Sequence, residues 1–67
     1  MTISVNNQKT EVEAQEMLSN VVFQHVGENS KGIAVAINGQ VIPKDSWQKT
    51  SVSENDDVLI IKATQGG

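Results

Sequence analysis

A chain of 67 residues supports one domain around a single small core; at this size folding buries only about 60% of the unfolded chain's surface, which disfavours a roomy internal pocket. Five Lys and no Arg against eight Asp and Glu give a formal charge of -3, and Phe23 and Trp47 are the only aromatics. That balance lacks the basic footprint and stacking platform of a nucleic-acid binder and the polybasic patch of a membrane-surface protein. Cysteine is absent and His25 is the sole histidine, so disulfides, thiolate metal sites and cysteine nucleophiles are excluded and no usual zinc ligand set remains. No apolar run nears transmembrane length and no signal-peptide pattern opens the chain, so the expected compartment is the cytoplasm.

Met1, Ile3 and Val5 alternate with Thr2 and Ser4, the period-two pattern of a half-buried strand. Asn6-Asn7 tolerates the left-handed backbone of a tight hairpin, and Gln8 to Val12 reads as the returning strand. Leu18, Val21, Val22, His25 and Val26 fall at helical spacing on one face, which predicts a helix starting between Ala14 and Met17 and closed by Gly27. His25 continues that face and reads as a histidine at the edge of the core. Glu28 to Gly32 is polar and small, a loop.

Ile33 to Ile37 is the clearest strand. Asn38-Gly39 is a strong two-residue turn signal, Gln40-Val41-Ile42 returns, and Pro43 ends the ladder. Asp45 or Ser46 is placed to cap a short turn that brings Trp47 over the core. Asn55-Asp56 forms another turn, and Asp56 and Asp57 read as solvated turn residues. Val58 to Ile61 is four consecutive apolar residues, a central strand covered on both faces or with one face reserved for a partner. The order predicts an α+β sheet of about five strands with one helix across one face. The domain spans 1–64, with Gln65, Gly66 and Gly67 as a flexible tail.

The tail is hard to explain by packing, since a terminal glycine pair fills no core and loses much entropy when ordered. Its bland reading is a frayed end. Its placement, directly after the most apolar strand, favours use: three extended residues reach about 10 Å, and glycine has no side chain to obstruct a narrow channel. A terminal carboxylate is ionised at pH 7, its reference pKa being about 3.3–3.7, and is a poor electrophile until activated. The chain has no phosphate-cradling loop, so activation with ATP falls to another protein.

The segments VAINGQVIPKDSW (Val35–Trp47) and DVLIIKATQGG (Asp57–Gly67), with ISVN at the start and the Leu18-Val21-Val22 helix, resemble the ThiS family of sulfur carriers in thiamine biosynthesis over the full length. Asn55 stands where the family usually has glycine, and Lys44 where arginine is common. The resemblance implies a ubiquitin-like β-grasp fold and a non-enzymatic carrier that binds no cofactor or metal. On the same resemblance, an E1-like adenylating enzyme is expected to activate Gly67 with ATP. A sulfur donor such as a cysteine desulfurase or persulfide carrier is then expected to turn the adenylate into a thiocarboxylate, with thiazole synthase as the expected receiver of the sulfur.

The family pattern puts Val58 and Ile60 inside. Leu59, Ile61 and Ala63 then join Ala34, Ala36, Thr2 and Ser4 on the outer sheet face. That flat, uncharged patch is the expected dock for both enzymes, against the reading that it is ordinary exposed sheet. Three other functions share the tail: the small subunit of molybdopterin synthase, a ubiquitin-like modifier, and a plain interaction domain. The Pro43-to-Trp47 segment and the short length argue against the first.

Overall fold

The structure, a computed structural model, describes residues 1–27 and 31–62. Residues 28–30 and 63–67 lie outside that description, and with them most of the expected loop after the helix, the end of the domain and the whole tail.

Two hairpins with the same turn chemistry build the sheet. β1 (Thr2–Val5) and β2 (Gln8–Glu11) join through Asn6 and Asn7 at φ 51° and 68°. β3 (Ile33–Ile37) and β4 (Gln40–Ile42) join through Asn38 and Gly39 at φ 51° and 85°. Positive φ at both central positions is what a type I′ turn requires, and Asn and Gly reach it at least cost. β5 (Asp57–Lys62) then enters between the hairpins, giving the order β2-β1-β5-β3-β4. It runs parallel to β1, with Val5 opposite Val58, and antiparallel to β3, with Val35 opposite Ile60. This mixed five-stranded sheet with one helix is the arrangement that the element order predicts and the β-grasp fold that the family resemblance implies.

α1 (Leu18–Val26) covers one face of the sheet. Its Leu18, Val21 and Val22 meet Ile3, Val5, Val35, Val58 and Ile60 in the core, together with Trp47 and Val52. The alternation in each strand therefore decides which side chains go inside. Trp47 is 5% exposed. It sits on a 3-10 helix, Lys44–Lys49, and its indole N–H donates to the Ile42 carbonyl at 2.9 Å, so the ring is buried without leaving its one donor unpaired.

Three local expectations are corrected. α1 begins at Leu18, one residue past the expected range, because Met17 is held extended, at φ -77° and ψ 143°, against a neighbouring segment. Leu18 N–H donates to the Thr50 carbonyl at 2.7 Å, and Val52 N–H to the Glu16 carbonyl at 2.8 Å. Met17 and Ser51 form an isolated antiparallel bridge between the same segments. Neither Asp45 nor Ser46 caps the 3-10 helix; both lie within it, after Pro43. His25 is exposed and stays outside the buried core: Val26 packs against the core, while the His25 ring lies at the rim between helix and sheet, 3.3 Å from the Asn6 carboxamide. The Gly27 expectation holds: at φ 75° its N–H closes the helix on the Phe23 carbonyl at 2.7 Å.

Candidate functional site

With Val58 and Ile60 buried under α1, the odd-numbered residues of β5 face the other way. Leu59 is 45% exposed and Ile61 51%. The β3 register sets Ala36 beside Leu59 and Ala34 beside Ile61, so four of the residues expected in a docking patch share one face. Small alanines between larger side chains keep that face flat. Ala63 lies outside the described residues, as do Gln65, Gly66 and Gly67.

One residue of this face was missing from the sequence reading. Val41 pairs with Ala36 across the β3–β4 hairpin and is 70% exposed. The signal was present: a two-residue turn at Asn38-Gly39 fixes the register, and that register puts Val41 on the same side as Ala36.

The other half of the face departs from the expected uncharged patch. Ser4 stands between Lys9 and Asp57, and Thr2 beside Glu11; the Thr2 hydroxyl donates to the Glu11 carboxylate. The outer face is therefore divided into an apolar strip on β5, β3 and β4, formed by Ala34, Ala36, Val41, Leu59 and Ile61, and a charged margin on β1 and β2.

The turn that leads into β5 is stapled. The Asp56 carboxylate accepts from Ser53 N–H at 2.7 Å through one oxygen and from Asn38 Nδ2 at 3.0 Å through the other. The Asn38 Oδ1 accepts from Asp57 N–H at 2.9 Å. Asp56 thus joins this turn to the β3–β4 turn, a structural use that its sequence position did not reveal. Asn55 adopts φ 67°, which explains why glycine suits the same place.

On the helix side, a shallow groove of about 200 Å³ lies between α1 and the 3-10 helix, lined by Phe23, Lys44 and Trp47 among others. Among the described residues no three His, Cys, Asp or Glu side chains come together as a metal site, and no helix is long and apolar enough to cross a membrane.

A β-grasp sheet with one face under a helix, and an apolar strip on the strand that leads to a glycine pair, defines a small ubiquitin-like protein. The sequence model of the ThiS family matches residues 3–67. The Escherichia coli sulfur carrier protein ThiS is 28% identical over 67 residues, all of both chains. The crystal structure of the thiamine biosynthesis protein ThiS from Geobacter metallireducens superposes with a TM-score of 0.81 at 22% identity, covering 100% of each chain. A solution structure of a thiamine biosynthesis protein from that organism gives 0.75 at 22% identity, covering 100% of this chain and 88% of the other. At that identity the two structures speak for the fold. The family match spans nearly the whole sequence, and the chain belongs to the ThiS family.

Proposed function

We propose that the chain is a sulfur carrier of thiamine biosynthesis that works through the carboxyl group of Gly67 and has no catalytic centre of its own. The observation that carries this reading is the family match over residues 3–67, which includes the glycine pair. In the proposed cycle the Gly67 carboxylate attacks the α-phosphate of ATP on an E1-like enzyme and displaces pyrophosphate. The acyl adenylate then has a carbonyl that a sulfur nucleophile can attack. A persulfide on the donor displaces AMP and forms an acyl disulfide. A second thiol cleaves its S–S bond, leaving the thiocarboxylate on Gly67 and a disulfide on the donor side. Thiazole synthase receives the sulfur, and Gly67 returns to a carboxylate.

Ala34, Ala36, Leu59 and Ile61, with Val41, form the docking surface in this reading. Burial of an apolar strip provides attraction without directionality, and the charged margin of Lys9, Glu11 and Asp57 gives an orientation. Similarity to a sulfur carrier over its full length favours this function over the molybdopterin synthase subunit and the protein modifier.

The test is the intact mass of the protein incubated with the activating enzyme, ATP and a persulfide donor, without reduction or alkylation. A species heavier by the difference between sulfur and oxygen, mapped to the C-terminal peptide, is expected. A plain carboxylate under all conditions refutes sulfur carriage, and an isopeptide bond from Gly67 to a lysine points instead to a modifier.

A further inference from the structure

The backbone of β1 leaves the sheet at Asn6, but the Asn6 side chain stays in it. Val5 stands opposite Val58, and Asn6 N–H donates to the Val58 carbonyl at 2.9 Å. The chain then turns back through Asn6 and Asn7, so no β1 residue remains to meet Ile60. The Asn6 carboxamide takes that place. Its Oδ1 accepts from Ile60 N–H at 2.7 Å, and its Nδ2 donates to the Ile60 carbonyl at 3.1 Å. A carboxamide offers one acceptor and donors, as a peptide unit does, so the side chain adds one more rung to the ladder.

These two bonds also fix which way the amide points, since a flip would set acceptor against acceptor and donor against donor. The remaining Nδ2 hydrogen is directed to His25 Nε2, 3.3 Å away, and only an unprotonated Nε2 can accept it. His25 stands in the last turn of α1. Through Asn6, the end of the helix is therefore tied to the central strand. β5 continues two residues past this rung, to Lys62, where its pairing with β3 ends opposite Ile33.

We propose that Asn6, oriented by His25, is a positioning residue for the reaction at Gly67, because it anchors the last part of β5 on the side where β1 has ended. The proposal rests on the sulfur-carrier reading. Without the rung, β5 beyond Val58 is held from the β3 side alone, so its end past Ile61, the part that leads to Gly67, frays more readily. Small displacements of a reacting group cost rate, up to about a hundredfold for 1 Å. They leave docking through Leu59 and Ile61 intact.

Asn6→Gly keeps the positive φ and deletes the rung. Asn6→Asp keeps the acceptor for Ile60 N–H and sets a carboxylate oxygen against the Ile60 carbonyl. His25→Ala removes the orienting acceptor, and His25→Gln supplies another. Two readouts are taken on each: amide hydrogen exchange in the free protein, and ATP–pyrophosphate exchange with the activating enzyme of the same source. In Asn6→Gly we expect Ile60 N–H to exchange at least about ten times faster, while Leu59 and Ile61, whose amides alternate toward β3, keep their protection. The kcat for pyrophosphate exchange falls about tenfold with KM for the carrier unchanged. Asn6→Asp falls similarly, and His25→Gln recovers what His25→Ala loses. Unaltered Ile60 exchange in Asn6→Gly overturns the anchor whatever the activity shows. Faster exchange with an unchanged kcat overturns the positioning role. An inactive wild-type carrier, with an enzyme shown to make adenylate from ATP on another carrier, sinks the sulfur-carrier reading and the positioning role with it.

Discussion

Leu59 is the most direct test of the outer face. Complete burial of a leucine side chain is worth about 1.5–3 kcal/mol relative to exposure. Leu59 retains 45% exposure in the free domain, so docking has less than half of that gain left, about 1 kcal/mol. Leu59→Ala should therefore weaken binding to the activating enzyme only about fivefold. Leu59→Asp is much harsher. Its neighbours on the strip are Ala34, Ala36, Val41 and Ile61, none of which can pair with a carboxylate. An unpaired charge in a closed interface costs about 2–5 kcal/mol, so affinity should fall at least about thirtyfold. The free domain tolerates the change, since the side chain faces solvent and strand preferences span only about 1 kcal/mol. Titration calorimetry at fixed salt measures the affinities, with circular dichroism to confirm folding. Phe23→Ala, on the helix side and 56% exposed, is the control and should bind as wild type. A folded Leu59→Asp variant with undiminished affinity refutes the docking role of the strip.

Removing Gly67 should abolish the thiocarboxylate and impose a thiamine requirement on the source cell while the melting curve stays in place; growth without thiamine counts against the carrier reading. Trp47→Phe leaves the Ile42 carbonyl without its indole donor and should cost about 2 kcal/mol, lowering Tm by about 8–16 °C in a scanning calorimeter. Asn55→Ala places a Cβ residue without a local hydrogen-bonding side chain at φ 67° and should destabilise by about 1 kcal/mol. Asn55→Gly should stay within about 0.5 kcal/mol of wild type in urea titration, and equal losses from both changes would remove the backbone explanation for that site.

Much of the fold is legible because its determinants are local. The alternations Ile3-Val5 and Val58-Ile60 select the inner face, and the Asn6-Asn7 and Asn38-Gly39 pairs set hairpin registers without reference to anything distant. The start of α1 is not legible in the same way. Its bonding partners are the backbones of Thr50 and Val52, more than thirty residues along the chain, and neither residue type announces that role. Val52 itself is a core residue inside a polar stretch with no periodicity to expose it. The Asn6 rung was hidden for the opposite reason. Asparagine at a tight turn already has a sufficient local explanation, and the contact to Ile60 depends on β5 entering beside β1. Val41 was readable from the hairpin register alone. The glycine pair was legible as chemistry, through the activation a carboxylate needs, while its three-dimensional setting lies outside the described residues.

The strand order links the outer strip to the chain's exit. β5 comes last in sequence but lies in the middle of the sheet, with β1 on one side and β3 on the other. An edge strand would be held along one side only, and its end would be free to fray. In the centre, β5 is fixed by β3 as far as Lys62 and by β1 and Asn6 as far as Ile60. Alternation puts Leu59 and Ile61 on the outer face of the same six-residue strand. An enzyme that binds those two side chains thus binds the strand that leads to Gly67, on either side of the Ile60 rung. Recognition and presentation share one rigid element, so weakening either should leave a separate kinetic mark: the strip in KM, the anchor at Ile60 in kcat.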